Sequence, residues 1–166
     1  MRWRQRLQPC IDARLAELNA ILHAHAAGRT VTLQGLVGRP LTSFMSDTAW
    51  QVAVSSQAVS HMSLAQKLAF ARAFSSYENM DQALLREQDA WLKLGVLDDP
   101  ALLSESDWSA VLQGYAEAAT LNTRIKLIVQ HVLSVGTLGQ QPRRTLDANP
   151  SVRNAAAEFC RPIINR

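Results

Sequence analysis

The sequence is short of residues that break helices and of residues that staple small folds. Seven glycines, six prolines and two cysteines occur in 166 residues, and aromatics make up 6%. So little glycine and proline excludes collagen-like and low-complexity classes and leaves room for long regular elements. Two cysteines exclude a disulfide-dense scaffold and a cysteine-rich zinc site, leaving a choice between one bridge and two free thiols. No apolar run approaches the ~20 residues that cross a bilayer. Met1-Arg2-Trp3-Arg4 leads directly into a helical pattern, without the apolar stretch of a signal peptide.

Motifs that carry chemistry are equally scarce. Gly35 and Gly38 lack the spacing and the lysine–hydroxyl pair of a phosphate loop. There is no Gly-x-Ser-x-Gly elbow and no Glu-x-x-His pair for a di-iron bundle. His23 and His25 would sit about 200° apart around a helix, so they cannot share an ion. His61 and His131 are isolated. Cys10 has no base beside it in sequence, and Asp98-Asp99 reads as two acids in a solvated turn. The expectation is a non-catalytic protein with no cofactor and no metal.

What the chain has is helical pattern. Apolar residues reach 48%, and they recur at three- and four-residue steps. The spacing predicts an all-α antiparallel bundle, a single domain over 1–166, built on a long hairpin of helices at about 63–94 and 105–135. Ser63 with Gln66 forms a capping-box pattern, and Leu64, Leu68, Ala71, Phe74, Tyr77, Met80, Leu84 and Trp91 mark a buried stripe. Gly95 offers a left-handed stop, and Asp98-Asp99-Pro100 prevents continuation. Ser104 with Asp107 opens the second helix, whose stripe holds Trp108, Val111, Leu112, Tyr115, Ala118, Ala119, Ile125, Ile128, Val129 and Val132, with Gly136 as its stop. At 1.5 Å per residue each helix spans roughly 47 Å. Trp50, Phe74, Trp91, Trp108 and Tyr115 are the expected core anchors.

The remaining elements cover this pair. Leu7, Ile11, Leu15, Leu18 and Leu22 mark a first helix over 1–27, with Pro9 in the first turn of its regular part and Gly28 as its stop. In 29–45, Val31 and Leu33 alternate with Thr30, Thr32 and Gln34, as in a strand, yet no second strand exists to pair with it. The segment therefore reads as an extended or partly helical connection. Ser46, Asp47 or Thr48 caps a short helix through Ser55, and Ala58–Met62 adds a turn. Residues 137–149 read as a loop, and Asn149-Pro150 opens a last helix with Val152, Ala156 and Phe159 inward.

Charge is unevenly placed around a net +3. Residues 1–30 carry five arginines against Asp12 and Glu17, and 137–166 carry five against Asp147 and Glu158. Residues 78–107 carry eight acids against Arg86 and Lys93. Basic ends suit either an ordinary solvated face or contact with an anionic surface. A nucleic-acid module is disfavoured, because no helix-turn-helix spacing or aromatic-interleaved basic face accompanies the arginines.

The segment Thr48-Ala49-Trp50-Gln51-Val52-Ala53, followed by Ala58-Val59-Ser60-His61-Met62, resembles uncharacterised bacterial proteins that carry one membrane helix and an extracytoplasmic helical domain. Many of those have glycine where this chain has Gln57. The resemblance implies a membrane anchor preceding Arg2 and a domain on the periplasmic face of the inner membrane. Arg2, Trp3, Arg4 and Arg6 would then form a membrane-proximal basic end. Arginines beside a span favour the cytoplasmic side, which keeps a cytoplasmic location open. An oxidising compartment would join Cys10 to Cys160. The expected role is interaction or assembly, with another envelope protein docking on the acidic turn at Asp98 and Asp99. The alternative is a ligand-sensing bundle with Ser75, Asn122 and Arg124 turned inward.

Overall fold

The structure, a computed structural model, describes residues 2–42, 48–99, 103–134 and 150–164. Five α-helices follow in order: α1 (Arg2–Ala26), α2 (Thr48–Ser55), α3 (Leu64–Leu94), α4 (Glu105–Ser134) and α5 (Pro150–Phe159). Short 3₁₀ turns at Ala58–His61 and Gly95–Asp98 precede and follow α3. Among the described residues there is no strand. The fold is the all-α arrangement built on a long helical hairpin.

The caps form as their residues dictate. Ser63 accepts from the Gln66 amide while the Gln66 side chain accepts from the Ser63 amide. Ser104 and Asp107 exchange the same pair of bonds at the start of α4. Gly28, at φ +67°, closes α1: its amide donates to His25 and that of Arg29 to Ala24, satisfying carbonyls the helix leaves open.

Two expectations at helix ends are corrected, and the turn before α3 has a left-handed residue. Gly95 is right-handed at φ −62° and the chain continues as a 3₁₀ turn, which tucks Leu97 into the core instead of stopping the helix. α1 begins at Arg2 and passes through Pro9. The missing Pro9 amide costs one helical bond, but Leu7 and Ile11 on either side are buried and Arg4 is tied to α3, which holds the first turns in register. Gln57 takes the left-handed conformation at φ 60°, a geometry that favours glycine.

α3 and α4 pack antiparallel as the most extensive helix pair. Gly114 marks a close approach, since a Cβ there would lie 3.1 Å from the Lys93 Cβ and 3.2 Å from the Ala90 carbonyl. One apolar cluster joins α3 to α4 through Met80, Ala83, Leu84, Leu121, Ile125 and Val129. A larger one gathers α1, the C-terminal part of α3, the Leu97 turn and Phe159 with Ile163 around Trp91.

The two long stripes are only partly buried. Leu64 is 72%, Leu68 49% and Leu112 56% exposed. Phe74 and Tyr77 are half-buried and meet edge to face at 6.2 Å. Burial of the α3 stripe thus begins near Met80, where the described part of α4 lies alongside. The caps expected at Ser46 or Asp47, the loop at 137–149 and the Gly136 stop lie outside the described residues, as does the side chain of Trp50.

Candidate functional site

The C-terminal end of α1 and the N-terminal end of α4 meet at one pole of the bundle, beside the start of the segment 29–42 that follows α1. Its second half is pinned by one side chain. Arg14 is 2% exposed. It donates to the Leu36 carbonyl at 2.9 Å, the Val37 carbonyl, the Phe159 carbonyl at 2.8 Å and the Arg161 carbonyl at 2.7 Å. Its Nε meets Glu17 at 3.1 Å, and Glu17 accepts from the Ile163 amide. The guanidinium lies over the Phe159 ring. Burial pulls the Arg14 pKa down, while Glu17 and Asp98 act the other way. Guanidinium stays protonated regardless, so its donors remain available to the carbonyls.

Other bonds complete the clasp. Asp98 accepts from the Val37 amide at 2.6 Å, Gln88 donates to the Pro40 carbonyl, and the Gln34 amide donates to the Ile163 carbonyl. Cys10 and Cys160 form a disulfide one turn from Arg14, with Cα atoms 4.9 Å apart. One acid of the expected docking turn thus has one carboxylate oxygen engaged, and Asp98 and Asp99 are both exposed.

The first half of the segment borders a groove of about 610 Å³. Its floor is Ile21 and Leu97, both buried, with Val31 and Leu33 half-buried beside them. One wall is Trp108 with His25 stacked on it, ring centroids 3.7 Å apart and planes at 8°. Arg29 and Glu105 stand exposed at the rim. Trp108 is thus half-buried and shapes a cavity, besides packing on the core. Trp91 is the fully buried anchor, 1% exposed, and Tyr115 packs half-buried on the same cluster.

A second polar constellation joins α1, α3 and α4 between the two apolar clusters. Glu87 is wholly buried and receives two bonds from Arg4 at 2.6 and 2.7 Å. Asn122 accepts from Arg4 and Gln8 and donates to Asp12, which also meets Lys126 at 3.1 Å. Burial pushes the Glu87 carboxyl up, against the pull of Arg4. Burial also raises Asp12, but bonds from Asn122, Lys126 and Gln8 outweigh it and hold that carboxyl below its ordinary value. A small cavity of about 220 Å³ lies beside Arg4, Gln8 and Lys126.

This placement revises the basic end. Arg4, 7% exposed, spends its charge inside the protein, and Trp3 packs on the core. Arg6 is exposed, and the Arg2 side chain lies outside the described residues. Of the three polar residues expected to turn inward, Asn122 does and Ser75 and Arg124 are exposed. Among the described residues no cluster of His, Cys, Asp and Glu is placed to hold a metal, and no helix is long and apolar enough to cross a membrane.

The residues missed in the sequence, Arg4, Arg14, Glu17 and Glu87, share a readable signal. Each falls on the apolar stripe of its own helix, where a charged side chain must find a partner inside. Compared with known proteins, the chain matches no protein-family model, no curated protein and no solved structure.

Proposed function

We propose that this chain is a non-catalytic binding domain of a membrane-anchored bacterial envelope protein, and that it engages another envelope protein through the groove at Trp108. The observation that carries the reading is the groove itself: about 610 Å³, with an apolar floor, an aromatic wall and one charge of each sign at the rim. That volume and mixture fit a recognition site. The reading differs from docking on the acidic turn, because the groove offers apolar and aromatic surface as well as charge.

The disulfide supports an oxidising compartment, since such bonds persist on the oxidising side of a membrane. A preceding anchor, on the periplasmic face of the inner membrane, is the arrangement the resemblance implies. The nucleic-acid alternative weakens, because Arg4 and Arg14 are bound internally and offer nothing to phosphate. A small-ligand sensor uses the same groove and is the second reading, favoured by its volume alone.

Photo-crosslinking in the native host tests the proposal. A photoreactive residue at Thr30 or Glu105 is expected to give a discrete adduct with an envelope protein, and one at exposed Gln113 is not. Equal labelling from all three positions, or none from the groove, refutes groove-mediated binding. Recovery of the native protein wholly in the cytosolic fraction refutes the location.

A further inference from the structure

We propose that Thr30–Leu33 is a docking strand: an extended peptide segment of the partner pairs its backbone with this stretch and places an apolar side chain on the groove floor. This deepens the binding reading above and rests on it.

Three observations converge. The first is conformation. Val31 and Leu33 are half-buried while Thr30, Thr32 and Gln34 are exposed, the period-two burial of an extended chain. Thr and Val are β-branched and favour that shape.

The second is an unmet need. Arg29 donates its amide to Ala24 and Gln34 donates to Ile163, so both ends of the stretch are fixed. Between them the amides and carbonyls of Thr30, Val31, Thr32 and Leu33 have no hydrogen-bond partner among the described residues. No other strand of this chain is available to them among the described residues. A stretch tied at both ends, with the burial alternation of an extended chain and unpaired backbone groups, suits an incoming strand, and its prior ordering lowers the entropy lost on binding.

The third is the cavity alongside. The Ile21 and Leu97 floor and the Trp108 wall can take an apolar side chain, while Glu105 and Arg29 favour opposite charges in the peptide flanking it. Arg29, Thr30 and Glu105 lie exposed at the edge of the groove, and His25 is stacked into its wall. In-line backbone donors and acceptors are the larger polar resource, and they suit a peptide better than a compact small molecule.

The probe is a displayed library of random peptides of about twelve residues, a length that spans such a stretch. It is panned on the oxidised protein with counter-selection on Ala26→Trp and Thr30→Trp. Both positions are exposed and line the groove, and unchanged melting curves verify that the blocked variants fold. Selected peptides are then synthesised with single N-methylated amides. Strand pairing predicts that methylation at alternate residues weakens binding by about tenfold or more, while intervening positions change it by less than about threefold. Amide hydrogen exchange should slow at alternate residues of Thr30–Leu33, those whose amides face the incoming strand.

Peptides that bind, are lost in the blocked variants and show no alternation would overturn the docking strand and leave the groove as the binding site. A selected anchor pattern at three- and four-residue steps, marking a helical ligand, would do the same. No enrichment over the blocked variants would overturn both the strand and the groove.

Discussion

Replacing Glu87 by leucine would leave the Arg4 guanidinium inside the bundle with Asn122, at 2.8 Å, as its one remaining acceptor among the described residues. The pair it loses is short, at 2.6 and 2.7 Å, and its side chains are 8% and 0% exposed. Stranding one partner of such a pair costs about 3–5 kcal/mol. At this chain length that lowers the melting temperature by roughly 6–20 °C. Arg4→Met strands the carboxylate instead. The double variant, Arg4→Met with Glu87→Leu, strands nothing and is expected within about 1 kcal/mol of the parent, or more stable by up to ~4 kcal/mol. The two changes should therefore couple by more than about 3 kcal/mol in a double-mutant cycle.

Proton linkage separates the two single variants. Burial raises the folded Glu87 pKa above its unfolded value, so the folded state binds its proton more tightly. Stability then falls as pH rises from the ordinary carboxylate value towards the raised one. Removing Arg4 removes the opposing pull and extends that window upward. Arg4→Met should thus lose most at neutral pH and recover as pH falls, whereas Glu87→Leu lacks this slope. Asp12, and Glu117 on α4, which Lys93 and Arg86 of α3 hold below its ordinary value, contribute in the opposite direction: their stability is lost as pH falls through their folded values. Differences between Arg4→Met and the double variant cancel most of that contribution. Urea unfolding at a series of pH values between about 4 and 8 measures all of this. Additive single changes, or an Arg4→Met deficit that is flat with pH, would refute the buried ion pair.

Three further outcomes follow from the packing. Reducing the Cys10–Cys160 bond opens a loop spanning 150 positions, and the chain-entropy treatment puts the loss at about 5 kcal/mol; two reactive thiols in denatured, unreduced protein would show that the bond is absent. Arg14→Lys keeps the charge but not the fork that reaches the Leu36, Val37, Phe159 and Arg161 carbonyls, and should cost on the order of 3 kcal/mol; a melting curve within about 1 kcal/mol of the parent would mean the clasp is dispensable. Gly114→Ala meets Lys93 and the Ala90 carbonyl at 3.1 and 3.2 Å, so crowding of about 1–3 kcal/mol should exceed the roughly 1 kcal/mol gain in helix propensity; a stabilised variant would show that α3 and α4 can separate freely.

What the sequence made legible was local. Ser63 with Gln66, Ser104 with Asp107 and Gly28 act within a few positions, so their caps could be read directly. The cysteine pairing was legible as one of two alternatives, because two thiols allow one intramolecular bridge. The partners of Arg4, Arg14 and Glu87 were not legible, because they lie 83, 145 and 118 positions away in the pairs Arg4–Glu87, Arg14–Phe159 and Arg4–Asn122. A helical pattern scores such residues as solvent-facing, although Arg14 stands between Ile11 and Leu18 on the buried stripe and Glu87 between Leu84 and Trp91. The groove was hidden for a related reason: its floor and walls come from α1, the turn after α3 and the start of α4. One puzzle was visible in the sequence and persists in the structure. Thr30–Leu33 has the alternation of a strand with no strand to join among the described residues. The clasp around Arg14 fixes Leu36 and Val37, and Ile163 fixes Gln34, but neither reaches the four residues before them. Water satisfies those groups while the groove is open; an occupant that displaced it would have to replace its hydrogen bonds in line, a requirement that an extended backbone meets.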